Sequence, residues 1–168
     1  MKSLNNSQHY ADTLYTLADQ VLELCKQNGA QQADVSLSQD TGFSANVRLG
    51  EVETVERTND QGVAVTVYVN QQKGTASTAD LRPESLIETV AQACAIARFT
   101  EADAASGLAD AHLMATEVMD FELWHPNPIT AEQGIALALE TEQAGLNQKN
   151  ISNSDGASYS SGQSTAIY

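Results

Sequence analysis

The apolar positions of the chain first recur with a helical period. Leu14, Leu17, Ala18, Val21, Leu22, Leu24 and Cys25 fall at steps of three and four, and Asn28-Gly29 supplies a stop, which predicts a helix over about 11–28. The period then shortens to two. Val35 and Leu37 alternate with Ser36 and Ser38, and after an expected turn at Asp40-Thr41-Gly42, Phe43, Ala45, Val47 and Leu49 alternate with Ser44, Asn46 and Arg48. Gly50 permits a tight reversal into a strand over 51–58. Asn59-Asp60-Gln61-Gly62 reads as a turn leading to Val63, Val65, Val67 and Val69, and a further turn over 70–74 precedes a short strand over 75–78. Residues 34–79 are thus expected to form a five-strand antiparallel meander.

A sheet with one apolar face has to cover it, and the first helix together with the next one is available. That second helix starts at Pro83, suited to a first helical position, and carries Leu86, Ile87, Val90, Ala91, Cys94 and Ala97 as its stripe. Arg82 stands where a capping Ser or Asp is expected, so Asp80 is assigned that duty from two residues earlier. Residues 101–129 are Ala-rich and without sustained period, an irregular acidic connection punctuated by Trp124-His125-Pro126 and Pro128. Thr130 and Gln133 have capping-box spacing, and Ile135, Ala138, Leu139 and Leu146 mark a third helix. From Ile151 onward, Asp155-Gly156 and Ser161-Gly162 separate short alternating stretches, read as a C-terminal hairpin. The expected fold class is α+β. A helix, antiparallel sheet and helix core occupies 1–100, the connection 101–129, and 130–168 adds a helix and the start of further strands in the same domain. The alternation is still running at Tyr168, so a fragment of a longer fold is expected.

Composition narrows the classes of function. The 168 residues include 8 Lys+Arg against 22 Asp+Glu, a net charge of -14. Such a field repels phosphate backbones and anionic lipid, so no direct nucleic-acid partner is expected. No stretch approaches the roughly 20 apolar residues of a membrane span, and the first ten residues lack an apolar signal core. A cytoplasmic protein without membrane association is expected. Cys25 and Cys94 lie in apolar helical patterns without a CxxC neighbour and read as core residues. Between Phe99 and Gln148 there is no Lys or Arg, while nine acids occur. A solvated face is the plainer reading, and an acidic docking strip the alternative.

Catalytic chemistry is hard to place. Hydrolytic zinc needs converging imidazoles and carboxylates, commonly two His one helical turn apart; His9, His112 and His125 are scattered and no His-Glu-x-x-His motif occurs. No Gly-x-Ser-x-Gly elbow, Walker pattern or Gly-x-Gly-x-x-Gly appears. Glu51 and Glu53 share a strand face and form a carboxylate pair able in principle to do acid/base work, although solvated strand residues are the simpler account. His125, beside Trp124 and Pro126, reads as a packed hinge residue.

The run from Gly50 through Glu-Val-Glu-Thr-Val to Glu56, the block Asp60-Gln-Gly62-Val-Ala-Val-Thr-Val-Tyr68 and the block Lys73-Gly-Thr-Ala-Ser-Thr-Ala-Asp-Leu81 resemble the signature of the TldD/PmbA family. Asn28-Gly29-Ala30, Ala33-Asp34-Val35-Ser36, Ala97-Arg98-Phe99-Thr100, Trp124-His125-Pro126 and Ile151-Ser-Asn-Ser-Asp-Gly156 are similar to its amino-terminal domain in the same order. The Gly-Glu-Val-Glu-x-Val-Glu run and the His-Pro pair resemble the PmbA (TldE) branch more than TldD. The resemblance implies the amino-terminal domain of the non-catalytic subunit of a cytoplasmic heterodimeric zinc metalloprotease. Such enzymes act on unfolded peptides, in microcin maturation and antitoxin degradation, and carry the older label of modulator of DNA gyrase. The partners implied are a TldD-like subunit, which supplies zinc through a His-Glu-x-x-x-His motif, and an unfolded peptide. No catalytic, cofactor-binding or metal residue of the family carries over to this chain. The competing reading is a stand-alone acidic adaptor working through residues 101–142.

Overall fold

The structure is a computed structural model that describes residues 2–115, 117, 119 and 121–168, with side chains from Asp12 onward. Along the chain come α1 (Lys2–Gln27), β1 (Gln32–Arg48), β2 (Glu51–Val69), β3 (Gln72–Thr78), α2 (Pro83–Phe99), a single 3-10 turn (Ala111–Leu113), α3 (Ala131–Leu146) and β4 (Ala157–Ile167). Among the described residues the sheet is antiparallel, with four strands in the order β3-β2-β1-β4. The fold is α+β, but the five-strand meander is not formed.

The difference comes from continuity through three expected turns. Asp40-Thr41-Gly42 lies inside β1, Asn59-Asp60-Gln61-Gly62 inside β2, and Ser161-Gly162 inside β4, so the C-terminal hairpin is a single strand as well. Buried Val35 and Leu37 before the first site and buried Ala45 and Val47 after it are all odd-numbered. An uninterrupted strand therefore keeps every one of them on a single face. Gly42 is favoured within its strand, because a Cβ there would run into Thr58 Oγ1. The real reversals have two residues each. Leu49-Gly50 (φ 51° and 80°) and Asn70-Gln71 (φ 51° and 63°) have positive φ at both central positions, the twist that joins neighbouring strands closely.

The chain divides into two compact units. One comprises residues 1–39, 61–124 and 165–168; the other comprises 40–60 and 125–164. In the first, α1 contributes Leu14, Ala18, Val21 and Cys25, and α2 contributes Leu86, Val90, Ala93, Cys94 and Ala97, to a core shared with Val35, Leu37, Val63, Val65, Val67 and Ile167. Both expected covering helices are in place. Burial raises both thiols, Cys25 to about 11, so each is held as a neutral apolar group. The expected substitute capping of α2 by Asp80 is not formed, since among the described residues no side chain accepts the first amides of the helix; instead Asp80 Oδ1 accepts the Arg82 amide at 3.0 Å and its Oδ2 the Ser85 hydroxyl at 2.8 Å, while the Arg82 guanidinium pairs with it. These donors hold the Asp80 carboxyl well below the usual range, the Arg82 side chain contributing most.

In the second unit, α3 begins at the anticipated capping box, Thr130 N–H donating to Gln133 Oε1 (2.9 Å) and Gln133 N–H to Thr130 Oγ1 (3.3 Å). Gly134 lets the helix settle on Phe43 and Tyr159, whose ring carbons would stand 2.7 and 2.8 Å from an added Cβ. Trp124 closes the irregular connection with its indole N–H buried and without an acceptor among the described residues.

Two glycines make opposite predictions. A Cβ on Gly74 would collide with the Ala93 carbonyl oxygen and lie 2.5 Å from the Ala97 amide, backbone atoms of α2 that cannot rotate away. Gly74→Ala is expected to destabilise by at least the upper part of the ~1–3 kcal/mol range of overpacked cores. Gly145, near the end of α3, has open space around it, and Gly145→Ala should stabilise by about 0.5–1 kcal/mol. Thermal melts of the two variants should move in opposite directions.

Candidate functional site

The most distinctive surface of the molecule starts at the β1–β2 reversal. Leu49 in the left-handed region is unfavourable for a branched side chain, and the turn is held from α3. The Leu49 amide donates to Glu142 Oε1 at 2.8 Å and the Gly50 amide to Glu142 Oε2 at 2.9 Å. Glu142 is 4% exposed. Its carboxyl is held below the ordinary glutamate range, first by the Gly50 amide, then by the Ser154 hydroxyl and the Leu49 amide. An acid on the buried stripe Gly134, Ala138, Glu142 was a readable signal, yet by composition it is one of nine acids of a solvated strip.

From this turn β2 runs outward with little support. β3 pairs with it only from Val63↔Thr78 to Val69↔Gln72. Residues 51–61 have β1 on one side and no strand on the other among the described residues, and all are exposed. Their two faces are fixed by local contacts. Arg57 lies 5.8 Å from the centroid of Phe43, the ring against Gly134 of α3, so Arg57 and, by alternation, Val55 and Glu53 share the α3 side. Asn46 Nδ2 donates to Thr54 Oγ1 at 2.7 Å and Gly42 faces Thr58, so Thr54, Glu56, Thr58 and Asp60 share the other.

Glu51 and Glu53 are both solvated, and among the described residues no three His, Cys, Asp or Glu gather as a metal would need. His112 is exposed on the 3-10 turn, and the side chain of His9 lies outside the described residues. His125 is exposed rather than packed, and lines a shallow cleft with Arg57, Asn127, Gln163 and Phe43. No carboxylate lines that cleft, and a fixed guanidinium opposes a divalent cation. The donor set does not fit zinc. What the second unit offers instead is an exposed stretch of β2 with no strand on its outer side among the described residues, flanked by acids.

The description PmbA/TldA metallopeptidase domain 1 matches residues 33–97, which contain most of β1, all of β2 and β3, and most of α2. The chain is 42% identical over 148 residues to the Metalloprotease PmbA homolog of Haemophilus influenzae, a match covering 88% of this chain and 33% of that protein. It is 36% identical over 169 residues to Metalloprotease PmbA of Escherichia coli O157:H7, covering 100% of this chain and 37% of that one. The chain belongs to the PmbA/TldD family. It spans about a third of the length of these relatives. Solved structures share the fold. A Bacteroides thetaiotaomicron protein provisionally named modulator of DNA gyrase superposes with a TM-score of 0.78 at 21% identity, over 92% of this chain and 36% of that one. TldE from Thermococcus kodakarensis does so with 0.54 at 16% identity, over 89% and 34%.

The Glu142 clamp has a pH signature. Its native carboxyl titrates below the unfolded value of about 4.3, so its stabilisation is complete above that value and is lost as pH falls through the lower native one. Glu142→Gln is expected to lower Tm by several degrees at pH 7, with the gap from the unaltered protein closing below about pH 4. A gap that stays constant across that range would show that the clamp does not depend on charge.

Proposed function

We propose that this chain is the amino-terminal, non-catalytic part of a PmbA/TldE-like subunit. It pairs with a TldD-like subunit that carries zinc, and walls the path by which unfolded peptide reaches the metal. The observation that carries the reading is the identity to PmbA proteins along the whole chain, joined to a donor set whose imidazole shares its cleft with a guanidinium instead of carboxylates. In such an assembly this chain's work is mechanical and electrostatic. Its sheet supplies a wall, its carboxylates discourage anionic cargo, and the edge of β2, without a second strand among the described residues, offers backbone partners to an extended chain. Unfolded polypeptides, including peptide precursors and antitoxins, are the proposed cargo, and the cytoplasm the proposed compartment. No helix of the described residues is long and apolar enough to cross a membrane.

The test is metal content. After equilibration with excess zinc and removal of free metal, elemental analysis should find far less than one zinc per chain, and no peptide cleavage by this chain alone. Addition of a TldD-like subunit from the same organism should give a complex that cleaves. One tightly held zinc per isolated chain would overturn the proposal.

A further inference from the structure

The edge of β2 over residues 51–61 has a length, a charge and a chemistry that together select an occupant. Exposed strand edges are templates for pairing with another chain, and proteins blunt them by shortness, bulges, proline or cover. Among the described residues this one is neither short nor interrupted by proline, and it is exposed throughout. At roughly 3.4 Å per residue it can seat an extended segment of about ten residues. Charge is the one protection it carries. Glu51, Glu53, Glu56 and Asp60 stand against a single cation, Arg57, with carboxylates on both faces. Two such edges brought together from two copies would repel, which argues against a second copy as occupant. The same arrangement attracts a strand whose side chains are cationic, since opposite charges on neighbouring strands stabilise the pair.

We infer that residues 51–61 of β2 take up an extended, basic polypeptide segment as an added strand, its main chain pairing with the open edge and its Lys or Arg side chains facing Glu51, Glu53, Glu56 and Asp60. The edge begins at the Glu142-clamped turn, so it is anchored at one end before a peptide arrives. Val52 and Val55, 44% and 47% exposed, give an apolar contact to intervening side chains. The inference rests on the proposed role in guiding peptide and deepens it, by naming where the peptide lies and which peptides are preferred.

Fluorescence anisotropy of the 168-residue chain with three dye-labelled decapeptides tests it. The first alternates Lys and Val, the second alternates Glu and Val, and the third is the Lys-Val peptide N-methylated at every residue. The basic peptide should bind, and the acidic one at least tenfold more weakly. The N-methylated one, with its charge intact but its main-chain donors gone, should also lose at least tenfold. The double variant Glu53→Lys/Glu56→Lys, with one change on each exposed face and folding checked by circular dichroism, should weaken the basic peptide and strengthen the acidic one. Equal binding of the methylated and unmethylated peptides would reduce the site to charge adhesion and overturn the inference. Affinity unchanged in the double variant would place the peptide elsewhere and overturn it equally, as would pairing of two copies of the chain at this edge in sedimentation experiments. These results are separable from the zinc test: a chain without zinc that also ignores peptide defeats only this inference.

Discussion

The structure depends on keeping the odd-numbered residues of its two long strands on one side. Val35, Leu37, Ala45 and Val47 of β1 and Val63, Val65 and Val67 of β2 are buried at 5% exposure or less. Because side chains alternate, an insertion of one residue in either strand would turn everything beyond it to solvent. The β2–β3 register carries the inward face to the even-numbered residues of β3. Val65 faces Ala76 and Val67 faces Gly74, so the inward positions of β3 are small. That smallness is what brings the α2 backbone to within about a Cβ of Gly74. The apolar face is thus fixed first, and the helices are placed by how closely each strand lets them approach.

The same constraint explains why one edge is left open. β2 has nineteen residues and β3 seven, so β3 can only pair along one end. In the second unit α3 meets Phe43 and Tyr159 at Gly134 and the turn at Glu142. Among the described residues the outer half of β2 receives no second strand. An edge in that position is tolerable in water only if it resists its own kind, and its acids supply that resistance. Resistance to copies of itself and attraction for basic chains are one electrostatic fact seen from two partners.

Much of this was legible in the residues, and the losses have physical reasons. Both covering helices, the box at Thr130 and Gln133 and the Gly50 reversal are local: each depends on residues within a turn or two, where spacing is a sufficient guide. The expected turns at Asp40-Thr41-Gly42 and Ser161-Gly162 failed because turn-forming residues carry no information about phase. The odd-numbered alternation on both sides of Gly42 already required a continuous strand. The shortness of β3 against β2, and hence the open edge, emerges only when register is known. Glu142 bonds to Leu49 and Gly50 across more than ninety positions, at a separation where no spacing rule operates. Its place four residues after buried Ala138 was the one available hint.

The two kinds of carboxylate in the second unit show how environment divides labour within one residue type. Glu142 is enclosed and finds two amides of a strained turn, so its charge is used inside the fold and its proton affinity falls. Glu51 and Glu53, only a few positions beyond that turn, stand in solvent on a strand with no amide turned to them by a helix. Their charges remain available to whatever approaches. The internal acid fixes the starting point of β2, and the external acids decide what can lie along it. A chain with the external set alone would present the same charges on a strand free to pivot at its turn. An extended partner would then have to order that strand as well as itself before its backbone could pair.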